Sequence, residues 1–194
     1  MEQTKYQMID NYIYLYHTDT LIIVPQYSAS TISDTMSVSF TPNTPLSRSA
    51  PIYSYTGSGP RSLQVTFQLH RDMMQQINVK NTKTKVELGE DYVDRMIKEV
   101  QAAALPAYAV SQKMVNPPLI ALRLGDDIFI KGIVSGGVTV TYDTPILSNG
   151  KYAAVTIGFT VNEVDPYDAE SVMKYGSFRG LSTSLERRVW KAAQ

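Results

Sequence analysis

Apolar or small residues occupy every second position over much of the second half of the chain. The alternation runs through 128–134, 138–142 and 155–161. A period of two places one set of side chains on the buried face of a β-strand. Gly136-Gly137 separates the first two runs, and a loop ending in Asn149-Gly150 precedes the third. Glycine-rich turns of this kind predict three strands of an antiparallel meander.

The first half of the chain carries the same pattern around one interruption. Apolar runs at 12–16 and 21–25 predict an N-terminal hairpin within an arm of residues 1–30, and the alternation at 36–40 and 61–69 predicts half-buried strands. Between them, 41–60 holds four prolines and two glycines, which disfavour regular structure. We predict a long loop here, either a partner-binding loop or a passive connection.

The outward-facing residues of the strands at 37–41, 62–68 and 139–141 carry no charge. Their side chains are hydroxyls and amides, whereas an ordinary solvated face carries more Lys and Glu. The pattern is typical of a polar inter-subunit face or a water-filled lumen, and a solvent face built from good strand formers is the alternative. The residues are Ser37, Ser39, Thr41, Ser62, Gln64, Thr66, Gln68, Thr139 and Thr141.

One interior helix is predicted, over 89–105. Val93, Met96, Ile97, Val100 and Ala104 form a single apolar stripe at helical spacing, and Pro106 ends it. A second, short helix is predicted at 169–176, ending in glycine. With six to eight strands around the interior helix, the fold class is α+β, mainly β.

Length and charge restrict the organisation of the chain. Its 194 residues predict one domain, 1–176, followed by a C-terminal arm, 177–194. Lys and Arg balance Asp and Glu at 18 each, so no global field attracts nucleic acid or an anionic membrane. No signal peptide or membrane span is apparent, so we expect synthesis in a cytoplasm. Cysteine is absent, which excludes disulfides and thiolate chemistry.

Candidate chemistry is sparse. His17 and His70 are the only histidines, and no nucleophile-elbow, zinc-protease or phosphate-loop motif occurs. The carboxylates at 126–127 and 163–170 lack the spacing of a calcium loop and are explained by turns and by Asp168 capping a helix. We therefore predict no enzyme activity, no cofactor and no metal site.

Two segments are candidate interfaces. The first is the predicted loop, and the second is the C-terminal arm, where 182–193 has helical propensity and holds the only tryptophan. The arm either anchors a neighbouring chain or folds back on its own domain. The candidate interface residues are Arg48, Tyr53, Tyr55 and Arg61 in the first segment, and Leu185, Arg187, Arg188, Val189 and Trp190 in the second.

Four strand-and-turn patterns follow one another along the chain. They are Ser-Tyr-Thr-Gly-Ser-Gly-Pro-Arg at 54–61 before the strand 65–69, Pro-Pro-Leu-Ile at 117–120, Val-Thr-Val-Thr-Tyr-Asp-Thr-Pro at 138–145, and Phe-Thr-Val-Asn-Glu-Val-Asp-Pro at 159–166. Over roughly 30–176 the chain resembles the tail-tube-fold baseplate and hub proteins of tailed phages and contractile injection systems. Many such relatives carry a LysM module, which we do not expect here because only residues 177–194 follow the part that resembles them.

The resemblance implies an antiparallel β-barrel or sandwich with one flanking helix and extended terminal arms. It also implies a structural virion protein of the tail or baseplate that packs with itself in a six-fold or three-fold ring. Its other partners would be neighbouring tube and baseplate proteins, with DNA only in transit through the lumen and no membrane. The alternative function is a cell-wall-directed tail component that binds or hydrolyses peptidoglycan.

Overall fold

The structure is a computed structural model that describes residues 11–24, 29–74, 91–109, 114–125, 128–165 and 168–175. Short strands and helices begin and end the described chain, and four strands of 12–19 residues dominate it. The elements are β1 (Asn11–Leu15), β2 (Thr20–Val24), β3 (Ala29–Asn43), β4 (Ile52–His70), α1 (Arg71–Met74), α2 (Tyr92–Ala102), β5 (Ala107–Ala109), β6 (Met114–Asn116), β7 (Leu119–Leu124), β8 (Ile128–Ile146), β9 (Tyr152–Glu163) and α3 (Ala169–Tyr175).

Seven strands form one antiparallel sheet in the order β2-β1-β7-β8-β9-β4-β3, and β5 and β6 form a separate ribbon. The predicted mainly β, α+β class is confirmed. The predicted N-terminal hairpin is confirmed as the pair β1–β2. The described strands do not close the sheet into a barrel, so β2 and β3 remain as edges.

The sheet buries one face against helix α2. Alternate residues of β4 pair across the sheet with apolar residues of β9, for example Val65 with Phe159 and Phe67 with Ile157. The predicted interior helix is confirmed, and its stripe of Val93, Met96, Ile97 and Val100 belongs to the same core cluster as β4 and β9. Asp91 caps the helix by accepting a hydrogen bond from the Asp94 amide at 2.9 Å.

A partly buried ionic cluster ties the start of α2 to the sheet. Arg71 follows β4, is 5% exposed, and forms ion pairs with Asp91 and Asp94 at the start of the helix. Its Nε donates to the Tyr152 carbonyl at 2.7 Å, which connects the cluster to β9. Lys151 supplies a second cation to Asp94. Removal of one partner would leave the buried charge of Arg71 uncompensated, so the cluster fixes where the helix begins.

Asp94 gives this cluster a pH dependence. Burial alone would raise the pKa of its carboxyl, but hydrogen bonds from Lys151 and Arg71 outweigh burial and hold that pKa below its ordinary value. Because the pKa is lowered in the folded state, the stabilisation by ionised Asp94 is present above the unfolded-state pKa of about 4. It is lost as the pH falls through the folded-state pKa.

We expect the free energy of unfolding to fall steeply below about pH 4, and the substitution Asp94→Asn to flatten that fall. Urea unfolding at a series of pH values measures the slope. Asp72→Asn is the matched control, because Asp72 is exposed and forms no described ion pair with this cluster. An equal flattening in both variants would contradict the assignment.

The predicted turn at Gly136-Gly137 is wrong. Residues 128–146 form one continuous strand, β8, which pairs with β7 over 128–133 and with β9 over 132–146. The two glycines have φ of 74° and 89° and lie at a register shift between Ser135 and Val138. Left-handed glycines suit a bulge as well as a turn, so the chain here bends without reversing.

The predicted loop over 41–60 is also wrong over most of its length. Asn43 ends β3, Ile52 begins β4, and only 44–51 connect them. Pro42 lies on an edge strand, where a missing amide donor is tolerated. Pro60 falls within a register shift, between the pairs Met36–Arg61 and Val38–Ser58, where no ladder bond is required. The N-terminal residues 1–10 and the predicted C-terminal arm, 177–194, lie outside the described residues.

Candidate functional site

The uncharged residues predicted on the strand faces lie on one face of the sheet. Strand β3 keeps a strict alternation, and every second residue from 33 to 43 has a hydroxyl or amide side chain. The register continues this row across the sheet: Ser33 pairs with Gln64, which pairs with Thr160, which pairs with Ser135. We name this surface the neutral polar face. Its residues are Ser33, Thr35, Ser37, Ser39, Thr41, Asn43, Ser62, Gln64, Thr66, Gln68, Ser135, Thr139, Thr141, Thr156, Thr160 and Asn162.

The neutral polar face contains a shallow groove of about 360 Å³ at the β8 bulge. Gln64, Thr66 and Thr139 line it together with Gly136 and Gly137, and none of its lining residues is ionisable. A carboxylate lies at the edge of the groove, where Asp143 accepts a hydrogen bond from the hydroxyl of the lining residue Thr156 at 3.0 Å. The groove can therefore offer hydrogen bonds to a passing molecule and has no charged side chain in its own lining.

Beyond the body of the sheet, β3 and β4 continue as a projecting two-stranded hairpin. Strand β9 ends opposite this point, because Ser62–Asn162 is its last pair with β4. We name residues 37–60 the arm, which is distinct from the predicted terminal arms 1–30 and 177–194. Nearly all of its residues are exposed, and Arg48 is its only charged side chain. Strands rise about 3.3 Å per residue, so the paired strands of the arm extend roughly 20–25 Å from the body.

The arm has two different faces. On one, Thr41 and Thr56 share a hydrogen bond of 3.0 Å and Asn43 donates to Ser54 at 3.3 Å, which extends the neutral polar face. On the other, Phe40 and Tyr55 meet edge to face with ring centroids 5.6 Å apart. We name this second surface the aromatic face. Its residues are Val38, Phe40, Pro42, Tyr53 and Tyr55.

The aromatic face continues the buried face of the sheet past the end of the core. Met36, Val38 and Phe40 alternate as a buried strand would, and the sequence predicts a half-buried strand here. The strand is present within β3, but its predicted burial is wrong, because Val38 is 52% exposed and Phe40 is 53% exposed. No described part of the chain covers these side chains. The apolar alternation therefore continues on the arm beyond the described core.

The candidate interface residues fall into three groups. Tyr53 and Tyr55 are more than 60% exposed on the aromatic face, and Arg48 is exposed in the connection at the end of the arm. Arg61 is only 3% exposed and is held within the chain by Asp34, so it is not a surface anchor. Leu185, Arg187, Arg188, Val189 and Trp190 lie outside the described residues and remain predictions.

A second exposed aromatic cluster lies at the opposite end of the sheet. Tyr142 and Tyr152 have ring centroids 5.4 Å apart near the β8–β9 connection, and Ile146 beside them is 58% exposed. This end lies beyond His70, whereas the arm begins at the other end of β4. The molecule thus exposes apolar surface at both ends of its long strands. The sequence marked these residues only as strand formers.

Within the described residues, neither histidine forms an ion pair with an acidic side chain. His17 places its Nε2 3.3 Å from the Ala102 carbonyl, and His70 is exposed at the end of β4. Over the described residues, no group of three or more histidine or carboxylate side chains could hold a metal ion. No helix in that part of the chain is both long and apolar enough to cross a bilayer.

Comparisons with known proteins give a distant likeness. No family model matches the chain, and no curated protein matches it. Among solved structures, it is similar to a chain described as "Tail of empty GTA particle computed with helical refinement, C6 symmetry". The two are 12% identical, the alignment covers 82% of this chain and 96% of the other, and the TM-score is 0.40. A likeness of this size does not assign a function.

Proposed function

We propose that this chain is a structural subunit that assembles with copies of itself around a channel, as a tail-tube-like component of a phage tail baseplate or of the junction between tube and baseplate. The observation that carries the proposal is the two-sided arm. One side extends an uncharged polar surface, and the other extends the face that the body buries in its core. Such an element is complete only when a neighbour covers its aromatic face.

The exposed edge of β3 offers a second means of assembly. The strand is 15 residues long, and no other described strand pairs with its outer edge. Proteins usually protect long edges with lysine or an inward charge. Here the one charged residue of β3, Asp34, is already bound by Arg61 of the same chain. A strand of a neighbouring copy could therefore add to this edge, and repeated head-to-tail addition around an axis closes a ring.

The neutral polar face suits the inner wall of such a ring. A basic wall would bind the phosphates of a passing DNA strand and hold them, whereas a strongly acidic wall would oppose entry. Hydroxyl and amide side chains do neither, while they keep the wall hydrated. This favours a channel through which DNA passes without being retained. It also follows the resemblance of 54–61 and 138–145 to tail-tube-fold proteins.

The copy number of the chain in purified tail particles tests this proposal. Quantitative mass spectrometry against the major tube protein should give a small fixed number that fits one or two closed rings. Sedimentation of the purified chain at increasing concentration should show discrete oligomers. Absence from particles, together with retention of the purified chain on isolated cell walls, would overturn the proposal in favour of a cell-wall-directed component.

A further inference from the structure

The junction between the arm and the body is a weak point of the sheet. At Ser62 the strand β4 still has β9 on one side and β3 on the other, but from Arg61 onward only β3 remains. A register shift follows at once, between Met36 and Val38. Two-stranded ribbons twist more than wide sheets and are barely stable alone. Without another contact, the arm would pivot at this junction.

Arg61 supplies that contact. Its Nε donates to both oxygens of Asp34, at 2.9 and 3.0 Å, and Nη2 donates to Oδ2 at 2.7 Å. Its Nη1 reaches across the place where β9 has ended and donates to the Phe129 carbonyl of β8 at 3.2 Å. One planar guanidinium therefore joins both strands of the arm to a strand that neither of them pairs with.

Burial limits the freedom that remains at Arg61. Asp34 is 41% exposed while Arg61 is 3% exposed, so the cation is enclosed and the carboxylate faces the solvent. A pivot of β3 would break the ion pair between this buried cation and Asp34, so the contact resists a change in the direction of the arm.

We propose that Arg61, with Asp34 and the Phe129 carbonyl, is a positioning clamp that sets the direction of the arm before assembly. The effect on assembly rests on the proposed function, but the clamp itself is a property of the isolated chain. A preset arm loses less conformational freedom when it meets a neighbour, so association is stronger than with a pivoting arm. Arg61 would touch no neighbour itself and would act only through the arm.

Distance measurement between two spin labels tests the clamp. The chain has no cysteine, so Leu46→Cys at the end of the arm and Ser148→Cys at the opposite end of the sheet give two unique labels. Both positions are exposed, and Leu46 is 99% exposed. Double electron–electron resonance is recorded on labelled chain diluted into an excess of unlabelled chain, so that only distances within one molecule are measured.

A narrow distance distribution is expected with Arg61 in place, and Arg61→Met should lose that single narrow peak. Arg61→Lys should give an intermediate result, because one ammonium cannot reproduce the fork that reaches Asp34 and Phe129 together. Arg48→Met is the matched control, since it removes an arginine from the arm without touching the junction, and its peak should be unchanged. Asp34→Asn is the second variant if Arg61→Met does not fold.

The outcomes separate the clamp from the assembly. A purely structural role for Arg61 would lower the melting temperature and leave the distance peak narrow, and that result would overturn the clamp. A broad peak in the folded variant, with weaker association in sedimentation, would support both ideas. A broad peak in a chain that never associates would support the clamp and overturn the proposed self-assembly.

Discussion

Replacing Phe40 and Tyr55 together by serine should abolish most self-association and leave the fold intact. The two rings form the centre of the aromatic face, and each is more than half exposed in the isolated chain. In an assembled ring they would be buried, and aromatic anchors at the centre of an interface contribute about 2 kcal/mol or more each. We expect a loss of affinity of roughly 1,000-fold, equivalent to about 4 kcal/mol for the two rings together, measured by sedimentation over a concentration series.

A matched pair on the other side of the arm provides the control. Thr41 and Thr56 lie on the same two strands as Phe40 and Tyr55, but their hydroxyls bond to each other on the neutral polar face. Replacing both by alanine should change affinity by less than about 0.5 kcal/mol, as surface substitutions usually do. Equal losses in the two double variants would mean that the arm as a whole, and not its aromatic face, drives association.

The alternation of apolar residues predicts the strands of the body well, and the reason is burial. Val65 and Phe67 must face the core, so a slip of one residue would expose both, and the sequence shows that constraint directly. The same argument fails for Val38 and Phe40. Their alternation is identical, but no described part of the chain covers them. A period of two indicates an apolar strand face and does not indicate whether the same chain or a neighbour buries it.

Glycine and proline residues indicate unusual backbone conformations, but they do not indicate how the strands on either side pair. Gly136 and Gly137 need left-handed conformations in a hairpin turn and in a bulge alike. Only the pairing of Val138 with Phe159, on the same partner strand as Ser135, decides for a bulge. Likewise Pro60 is compatible with a loop or with a register shift, and the choice depends on how β3 aligns with β4.

The clamp could not be predicted from the sequence at all. Arg61 is 27 residues from Asp34 and 68 residues from Phe129 along the chain, so no local spacing connects them. Arg61 follows a proline and two glycines, a setting typical of an exposed loop, so the sequence predicts an exposed interface residue. Its burial follows from the point at which β9 ends, which is a property of the whole sheet. The neutral polar face, in contrast, was visible as alternation in each strand.

Gly132→Ala should be among the most destabilising single substitutions in the sheet. Gly132 lies in β8 between β7 and β9, where it pairs with Ile120 and with Glu163. An added Cβ would lie 2.0 Å from the Asn162 carbonyl oxygen and 2.7 Å from its carbon. Both are backbone atoms, so the clash cannot be relieved by a change of side-chain rotamer, and β8 would have to move away from β9. We expect a loss of about 3 kcal/mol or more in the free energy of unfolding.

Gly158→Ala is the matched control for that substitution, because it adds the same methyl group to the neighbouring strand of the same sheet. Its Cβ would meet nothing closer than the Thr66 hydroxyl at 3.7 Å, an ordinary contact. Replacing glycine where the backbone permits alanine restricts the unfolded chain, so stability should be unchanged or should rise by about 0.4–1 kcal/mol. Urea unfolding of both variants gives the comparison. If Gly132→Ala were as stable as Gly158→Ala, the close approach of β8 to β9 would not exist in solution, and the neutral polar face, whose rows depend on that register, would have to be redrawn.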